Sequence, residues 1–268
     1  VVWLPGFYAV PGHVSVACLG SSTRYFPMDA SSGYVAQCIK EELQDRGSKI
    51  LDLCCCPGGK LMNIADHLSP DDTLVGVDVS ERRMELCQAL FRKKRGHMYS
   101  CAGTSKPVRV MLYLADGTTF GPSDPGRLMF DTTVSIESDE TTGARKRRNK
   151  SCKGRERKLL KLIEANNIRK EDTEDSSAQF DIVFVDAECS HDGSFRHLSE
   201  CERSDRTAGT ADCGDYEARS EGEISDLQKK LISNGFNLLR PGGTLIYSTC
   251  SLSSHQNEEV VSYLLKEE

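Results

Sequence analysis

Short apolar runs that end in polar residues or glycine alternate along this chain with stretches whose apolar residues recur at helical spacing. Runs of this length are typical of buried strands. The strands predicted in this way are Ile50–Leu53, Leu74–Asp78, Val108–Leu114, Phe180–Val185 and Thr244–Ser248. The helices predicted between and after them are Leu61–Leu68, Ser80–Arg95, Ile224–Leu239 and Asn257–Lys266. The alternation predicts a Rossmann-like α/β fold with a mostly parallel, doubly wound sheet.

A glycine turn ends the first strand and opens the first helix. Pro57, Gly58 and Gly59 stand there, and glycine lets the backbone approach a ligand while the helix N-terminus offers unpaired N–H groups. Alone, such a turn is a weak signal, because ordinary strand–helix turns look similar. The second strand, however, ends in Asp78, where doubly wound folds place the acid that binds ribose hydroxyls.

The third and fourth strands lead into acids as well, Asp116 and Asp186. Ligands of open α/β sheets bind at the carboxyl ends of strands, so these acids are predicted to converge on one site. A plainer interpretation stays open for two of them. Asp78 would then cap the following helix, and Asp116 would start a turn.

Composition sets the outer bounds of the interpretation. A chain of 268 residues with 38% hydrophobic and 28% charged residues is long enough for one large α/β domain with abundant loops. No apolar run approaches the ~18 residues of a membrane span, and no signal peptide opens the chain, so no membrane partner is expected. The first residue is Val rather than Met, which predicts a fragment of a longer protein.

The chain contains 12 cysteines, and no C-x-x-C pair occurs among them. A disulfide framework would suit a short secreted domain, which this long chain does not resemble. The missing C-x-x-C spacing disfavours structural zinc, and no metal is expected. Most of the cysteines are therefore predicted to be reduced, small core residues in an intracellular, reducing compartment.

The net charge is −6, which argues mildly against a nucleic-acid partner, but the basic residues are unevenly distributed. Residues 145–161 contain ten lysines and arginines and a single acid. Such a run can neutralise phosphates, and its binding would weaken steeply with salt. A solvated insert or a localisation signal explains the run equally well, and both interpretations stay open.

Three motifs identify a family that the chain resembles. CCCPGGK at 54–60 closely resembles the CAAPGGK signature of the Sun-type (NSUN) RNA cytosine-5 methyltransferases, which use S-adenosylmethionine. VDAECSHDG at 185–193 resembles the VDAPCSGxG of that family, and STCSLSSHQNEEVV at 248–261 resembles its STCS…ENE segment. The resemblance runs from about residue 26 to the end of the chain and is interrupted by one long segment.

The resemblance implies a class I methyltransferase fold over residues 26–268, with residues 1–25 as the end of a preceding domain. The family crosses the gap before the fourth strand in a dozen or so residues. Residues 121–179 are therefore expected to be a mostly mobile insertion, and the last, antiparallel strand pair of the fold is expected to be missing.

The resemblance also implies roles for individual residues. Cys250 would be the nucleophile that attacks cytosine C6, Cys189 would assist release of 5-methylcytosine, and Asp186 would hold the cytosine edge. The expected partner is RNA, either tRNA or rRNA, bound by a monomer. S-adenosylmethionine would be held by Cys54, Cys55, Cys56, Pro57, Gly58, Gly59, Lys60, Asp78, Arg83, Asp116 and Asp186.

The chain departs from the family pattern at several positions. Glu188 stands where the family has proline, His191 replaces a glycine, and Cys55 and Cys56 replace two alanines. Glutamate removes the backbone constraint that proline would place before Cys189. Two alternatives to the RNA methyltransferase stay open: a DNA cytosine-5 methyltransferase, whose nucleophile follows a proline that this chain lacks, and a catalytically weak or silent RNA-binding scaffold.

Overall fold

A sheet of six strands forms the centre of the fold, and its order is β4-β3-β2-β1-β5-β6. The computed structural model describes residues 28, 30–43, 47–98, 108–133, 179–193 and 219–267, with no side-chain detail for 93–98. All strands are parallel to their neighbours except β4, which pairs antiparallel with β3 at one edge. The strands are β1 Lys49–Asp52, β2 Thr73–Asp78, β3 Arg109–Leu114, β4 Arg127–Asp131, β5 Phe180–Asp186 and β6 Leu239–Ser248.

Five helices accompany the sheet in the described parts of the chain. They are α1 Ala30–Glu41, α2 Gly59–Ala65, α3 Glu81–Met98, α4 Glu221–Asn237 and α5 Glu258–Glu267, with a 3₁₀ turn at Ser254–Gln256. A capping box opens α4, because the Ser220 side chain accepts the Glu223 N–H while the Glu223 side chain accepts the Ser220 N–H.

Alternate strand residues are buried on opposite faces of the sheet. On one face, Ile50 and Phe184 belong to a core that also contains apolar residues of α1, α2 and α3. On the other face, Leu51 and Val183 pack in a core with Leu231 of α4. Because helices cover both faces, the central strands read as continuous apolar runs, and the predicted doubly wound, mostly parallel sheet is confirmed.

The last strand differs from its prediction at its start. Residues 239–243 were predicted as the end of a helix and a turn, but β6 begins at Leu239 and pairs with Phe180. The register then shifts so that Ile182 pairs with Thr244, which places Pro241-Gly242-Gly243 in a bulge. The sequence pattern could not show where this strand begins, because the apolar residues just before the bulge fit the spacing of a helix as well as that of a strand.

Strand β4 was not predicted, since it lies inside residues 121–179, which were expected to be an insertion. It closes the edge beside β3, and the Phe130 ring lies 6.1 Å from the Phe91 ring of α3, measured between centroids. Residues 134–178 of that range, and the N-terminal segment 1–25, lie outside the described residues. Within the described parts of the chain, no helix is both long and apolar enough to cross a membrane.

The turn that leads into β4 yields a prediction about stability. Gly126 has φ +66°, and a Cβ there would lie 2.4 Å from Ala115 Cβ and 2.5 Å from the Leu114 carbonyl oxygen. Gly126→Ala should therefore lower the free energy of unfolding by about 2–4 kcal/mol, from backbone strain and overpacking together. Denaturant titration measures the change.

Gly242→Ala is the matched control, because Gly242 has φ +78° but a Cβ there would meet nothing within 4 Å. It should cost about 1 kcal/mol, from the backbone conformation alone. Equal losses in the two variants would contradict the close approach of this turn to β3.

Candidate active site

The carboxyl ends of the parallel strands place the predicted site residues along one edge of the sheet. The turn at 54–60 follows β1, while Asp78 and Asp116 stand at the ends of β2 and β3. On the other side, Asp186 ends β5, and Cys250 lies two residues beyond β6. The edge therefore has two halves, one around the glycine turn and one around the cysteines.

Asp78 and Arg83 fix the turn that follows β1. Oδ2 of Asp78 accepts the Cys56 N–H at 3.2 Å, and Oδ1 accepts the Ser80 N–H at 2.8 Å. Arg83 lies 3.6 Å from the same carboxylate and donates to the Cys56 carbonyl, just before a cis Cys56–Pro57 peptide bond. Burial raises the pKa of Asp78 above its usual value, although the Arg83 charge opposes the shift.

The three consecutive cysteines of the turn have two different environments. Cys55 and Cys56 are buried, and their Sγ atoms and that of Cys87 in α3 all lie within 4.8 Å of one another. Cys54 is half-buried, and burial together with the Asp52, Asp78 and Asp186 carboxylates raises its thiol pKa. The thiols of Cys55 and Cys56 thus belong to the core, which leaves their main chain for contact with a ligand.

An ion pair joins the two halves of the site. Nζ of Lys60, in the first turn of α2, lies 2.5 Å from Oδ2 of Asp186, and both side chains are more than one fifth exposed. Ser248 donates to the other oxygen of Asp186 at 2.8 Å. Asp52, fully buried behind this pair, has a pKa raised well above its usual value, chiefly by burial.

The two cysteines predicted to be catalytic face each other. The Sγ atoms of Cys189 and Cys250 are 3.0 Å apart, and the Cys250 N–H donates to Cys189 Sγ at 3.3 Å. Nδ1 of His191 lies 2.9 Å from the Cys250 sulfur and 3.6 Å from the Cys189 sulfur. Cys250 is exposed, whereas Cys189 is only 4% exposed. Two thiols and one imidazole therefore meet at the mouth of the site.

Contact between the two thiols shifts their pKa values in opposite directions. The hydrogen bond from Cys250, reinforced by His191, lowers the pKa of Cys189 to about 4. The pKa of Cys250 is raised, first because its proton is held by Cys189 and then by burial. The hydrogen bond to the Cys189 sulfur raises the pKa of His191. Of the two thiols, the buried one therefore loses its proton more readily.

The segment after Cys250 is clamped by hydrogen bonds that explain the STCS…NEE pattern. Asn257 donates to the carbonyls of Ser251 and Ser253 at 3.0 and 2.9 Å. Its Oδ1 accepts the Thr249 hydroxyl at 2.6 Å. Beside it, the Gly193 N–H donates to the Cys250 carbonyl at 2.9 Å. The two cysteine segments are thus held as one unit.

Contacts from distant parts of the chain hold the backbone around Glu188, where the resembled family has proline. Arg219 donates to the Glu188 carboxylate at 2.7 Å, and Gln228 Nε2 donates to the Glu188 carbonyl at 2.7 Å. The Ser190 N–H donates to Oε1 of Gln256 at 3.0 Å. The backbone on both sides of Cys189 is therefore fixed without proline.

Asp116 is the outlying member of the predicted set. Its Oδ1 accepts both the N–H and the hydroxyl of Thr118, at 2.8 and 2.7 Å, so it does start a turn. It also lines an open depression of about 310 Å³ together with Leu227 and Lys230 of α4. Nothing in this geometry brings Asp116 to the cysteines, and its contact with a ligand stays a prediction.

Four contributing residues were not recognised from sequence: Asp52, Ser248, Gln228 and Gln256. Ser248 and Gln256 lie inside a recognised motif, which offered a signal for them. Gln228 offered none, because it reaches Glu188 over forty residues of sequence. His191 was noted only as a departure from a glycine.

The chain is similar in sequence to proteins of known families. A family model described as "16S rRNA methyltransferase RsmB/F" matches residues 131–268, more than half of the chain. A ribosomal RNA small subunit methyltransferase F of Erwinia tasmaniensis is 39% identical over 223 residues, which cover 83% of this chain and 31% of that protein. The protein of the same name from Cronobacter sakazakii is 38% identical over 87 residues, which cover 32% of this chain and 16% of that protein. The chain thus spans less than a third of these relatives.

Two solved structures share the fold. The crystal structure of PH0851 aligns over 91% of this chain and 38% of its own, with a TM-score of 0.55 and 18% identity. NSun6 from Pyrococcus horikoshii, solved with SFG, aligns over 97% of this chain and 46% of its own, with a TM-score of 0.53 and 18% identity. At this identity the likeness supports the fold alone.

The clamp at Asn257 yields a prediction. Asn257→Asp keeps the acceptor for Thr249 but sets a carboxylate oxygen against the carbonyls of Ser251 and Ser253. The free energy of unfolding should fall by about 1–3 kcal/mol. Amide exchange at Ser251, whose N–H donates to the Thr249 hydroxyl, should become faster.

Gln37→Glu makes the same amide-to-acid change on the surface of α1, where the Gln37 side chain donates only to Glu41. It should cost no more than about 0.5 kcal/mol. If both variants lost the same stability, the Asn257 contacts would not be holding the segment.

Proposed function

Since the chain belongs to the RsmB/F family of 16S rRNA methyltransferases, we propose that it methylates C5 of a cytosine in RNA, with S-adenosylmethionine as the methyl donor. The observation that carries this proposal is the contact between Cys189 and Cys250, with Asp186 at the same strand ends. C5 of cytosine is a weak nucleophile, and addition of a thiolate at C6 activates it. Covalent catalysis of this kind suits cysteine.

The turn at 54–60 and the acids beside it fit the donor. S-adenosylmethionine supplies an electrophilic methyl group on a positively charged sulfur. Asp78 is positioned by Arg83 and by two main-chain N–H groups, and its carboxylate suits ribose hydroxyls at the end of β2. Lys60 and Asp186 present opposite charges, which suits the carboxylate and ammonium ends of an amino acid.

The difference in exposure between the two cysteines supports different roles for them. Cys250 is open to solvent, so an unstacked base can reach it, and it is the nucleophile that adds to C6. Cys189 is buried 3.0 Å behind it and assists product release, when the C5 proton leaves and the bond to C6 breaks. Asp186, held by Lys60 and Ser248, binds the polar edge of the base.

Ribosomal RNA is the substrate class that the relatives favour, because both are named ribosomal RNA small subunit methyltransferase F. A DNA cytosine-5 methyltransferase is less consistent with the site. The cysteine after Glu188, which would be the DNA-type nucleophile, is the buried one, and the exposed thiol is Cys250.

The direct test is methyl transfer from labelled S-adenosylmethionine to small-subunit ribosomal RNA lacking the modification. The label should appear in 5-methylcytosine, and Cys250→Ser should abolish it. Cys189→Ser should instead retain a covalent protein–RNA adduct that resists denaturation, because addition at C6 proceeds and release does not.

Cys38→Ser is the control, since this half-buried cysteine of α1 lies outside the site and should leave transfer unchanged. Binding of the donor without transfer to any RNA would overturn the catalytic proposal and favour a scaffold. An adduct formed by Cys250→Ser but not by Cys189→Ser would reverse the two roles.

Asp78 yields a prediction about donor affinity and pH. Asp78→Asn should weaken binding about 10–100-fold, because a charged acceptor of hydroxyl hydrogen bonds is lost. In the unsubstituted protein the pKa of Asp78 is raised, so its carboxylate takes up a proton at a higher pH than an ordinary aspartate. Affinity should therefore fall as pH decreases through that range. Calorimetric titration at stepped pH measures it.

Asp131→Asn is the matched control, because Asp131 ends β4 opposite Met111, near the start of β3 and away from the site edge. Its affinity should equal that of the unsubstituted protein at each pH. A pH dependence that persisted unchanged in Asp78→Asn would contradict the assignment to Asp78.

A further inference from the structure

His191 occupies a backbone conformation that L-residues rarely adopt. Its φ is 59°, and it is the single non-glycine residue with positive φ among those described. The left-handed conformation costs an L-residue about 1 kcal/mol, and residues held there cluster at functional sites. A glycine, as in the resembled family, would avoid that cost. The strained conformation of His191 therefore points to a function for its side chain.

The strained backbone places the imidazole against the exposed sulfur. Nδ1 of His191 lies 2.9 Å from Cys250 Sγ, closer than its 3.6 Å distance to Cys189 Sγ. The position is held by the following residues, since Asp192 accepts the Leu252 N–H and Gly193 donates to the Cys250 carbonyl. The imidazole therefore stays within hydrogen-bond distance of the nucleophile.

We propose that His191 is the general base that takes the thiol proton of Cys250 and so generates the nucleophile. The proposal rests on the proposed function for its consequence in catalysis, while the proton transfer itself requires neither RNA nor donor. The proton passes from Sγ to Nδ1, and an imidazolium–thiolate pair is left. The sulfur lone pair then forms the bond to C6. When that bond breaks on product release, Cys250 recovers its electron pair and His191 returns the proton.

The electrostatics of the site create the need for such a base. The hydrogen bond to Cys189 and burial raise the pKa of Cys250, and the nearby Asp186 carboxylate raises it further, with Lys60 opposing the shift. The groups facing His191 are Cys189, Glu188 and Asp186, and together with the hydrogen bond to Cys189 they raise its pKa. A raised pKa means that the neutral imidazole takes up a proton more strongly, and the imidazolium that results stabilises the thiolate beside it.

Cys189, His191 and Cys250 offer ligand atoms within 4.8 Å of one another, so a metal has to be considered. Tetrahedral zinc would hold two sulfurs about 3.8 Å apart and a sulfur and a nitrogen about 3.6 Å apart. The distances at Cys250, 3.0 Å to sulfur and 2.9 Å to nitrogen, are shorter than both, so these atoms are in direct contact and too close to be ligands of one zinc ion. The geometry therefore favours proton transfer.

The test measures alkylation of Cys250 by iodoacetamide between pH 5.5 and 10, with peptide mass spectrometry to assign the label. It uses a Cys189→Ser background, in which Cys250 is the one remaining thiol beside His191. Adding His191→Gly should slow alkylation about 10-fold or more near pH 6.5, because thiolate is then scarce. Near pH 10, where an ordinary thiol ionises, the two rates should agree within about 2-fold.

His191→Asn, which tolerates the left-handed conformation, should match His191→Gly and so separates loss of the base from a change in backbone. His255→Gln is the matched control, because His255 is exposed and pairs with Glu259. Its alkylation profile should match that of the parent. Superimposable profiles with and without His191 would overturn the proposal, as would a chelator that accelerates alkylation only where His191 is present.

Methyl transfer is then compared in proteins that retain Cys189. His191→Gly should lower kcat about 100-fold at neutral pH, with partial recovery as the pH rises. If transfer fails in every protein while the alkylation difference persists, the proposed function is wrong and the proton transfer stands. Methyl transfer at the normal rate by His191→Gly would contradict the role of His191 as general base.

Discussion

The parallel register of β5 against β6 is the constraint on which the cysteine half of the site depends. Asp186 pairs with Ser248, and from this pair the chain continues three residues to Cys189 on one side and two residues to Cys250 on the other. A shift by one residue would move each side chain to the opposite face of the sheet. The bulge at Pro241-Gly242-Gly243 absorbs the extra length of β6 at the far end and leaves this register intact.

Negative charge accumulates around the turn at 54–60, and it has a chemical use there. Asp52, Asp78 and Asp186 all raise the pKa of Cys54, which shows that their fields overlap at the strand ends. Lys60 and Arg83 offset only part of that charge. A donor with a positively charged sulfur is favoured in such a field, and its product, which has lost that charge, is favoured less. The same carboxylates favour the protonated form of the Cys54 thiol.

The sheet could be predicted from sequence because helices cover both its faces, so its central strands are continuous apolar runs. Strand β4 could not, because it is an edge strand with a half-buried pattern and follows a loop rich in glycine and proline. The acids were found from their positions at the ends of predicted strands, and the two cysteines from their positions in motifs. What no local pattern contains is a contact between distant residues, such as Gln228 with Glu188 or Arg219 with the same residue.

The replacement of proline by Glu188 shows how such contacts change the interpretation of a motif. Proline would restrict the backbone before Cys189 through its ring, and it has no N–H to donate. Here Gln228 from α4 and Gln256 from the 3₁₀ turn hold the two sides of Cys189 by hydrogen bonds, and Arg219 neutralises the glutamate. The first turns of α4, the helix that carries Gln228, also contact the segment after Cys250, because Ser253 donates to Glu221 and Ser225 donates to the His255 carbonyl. The position of Cys189 is therefore coupled to the position of its partner cysteine, whereas a proline would fix it locally.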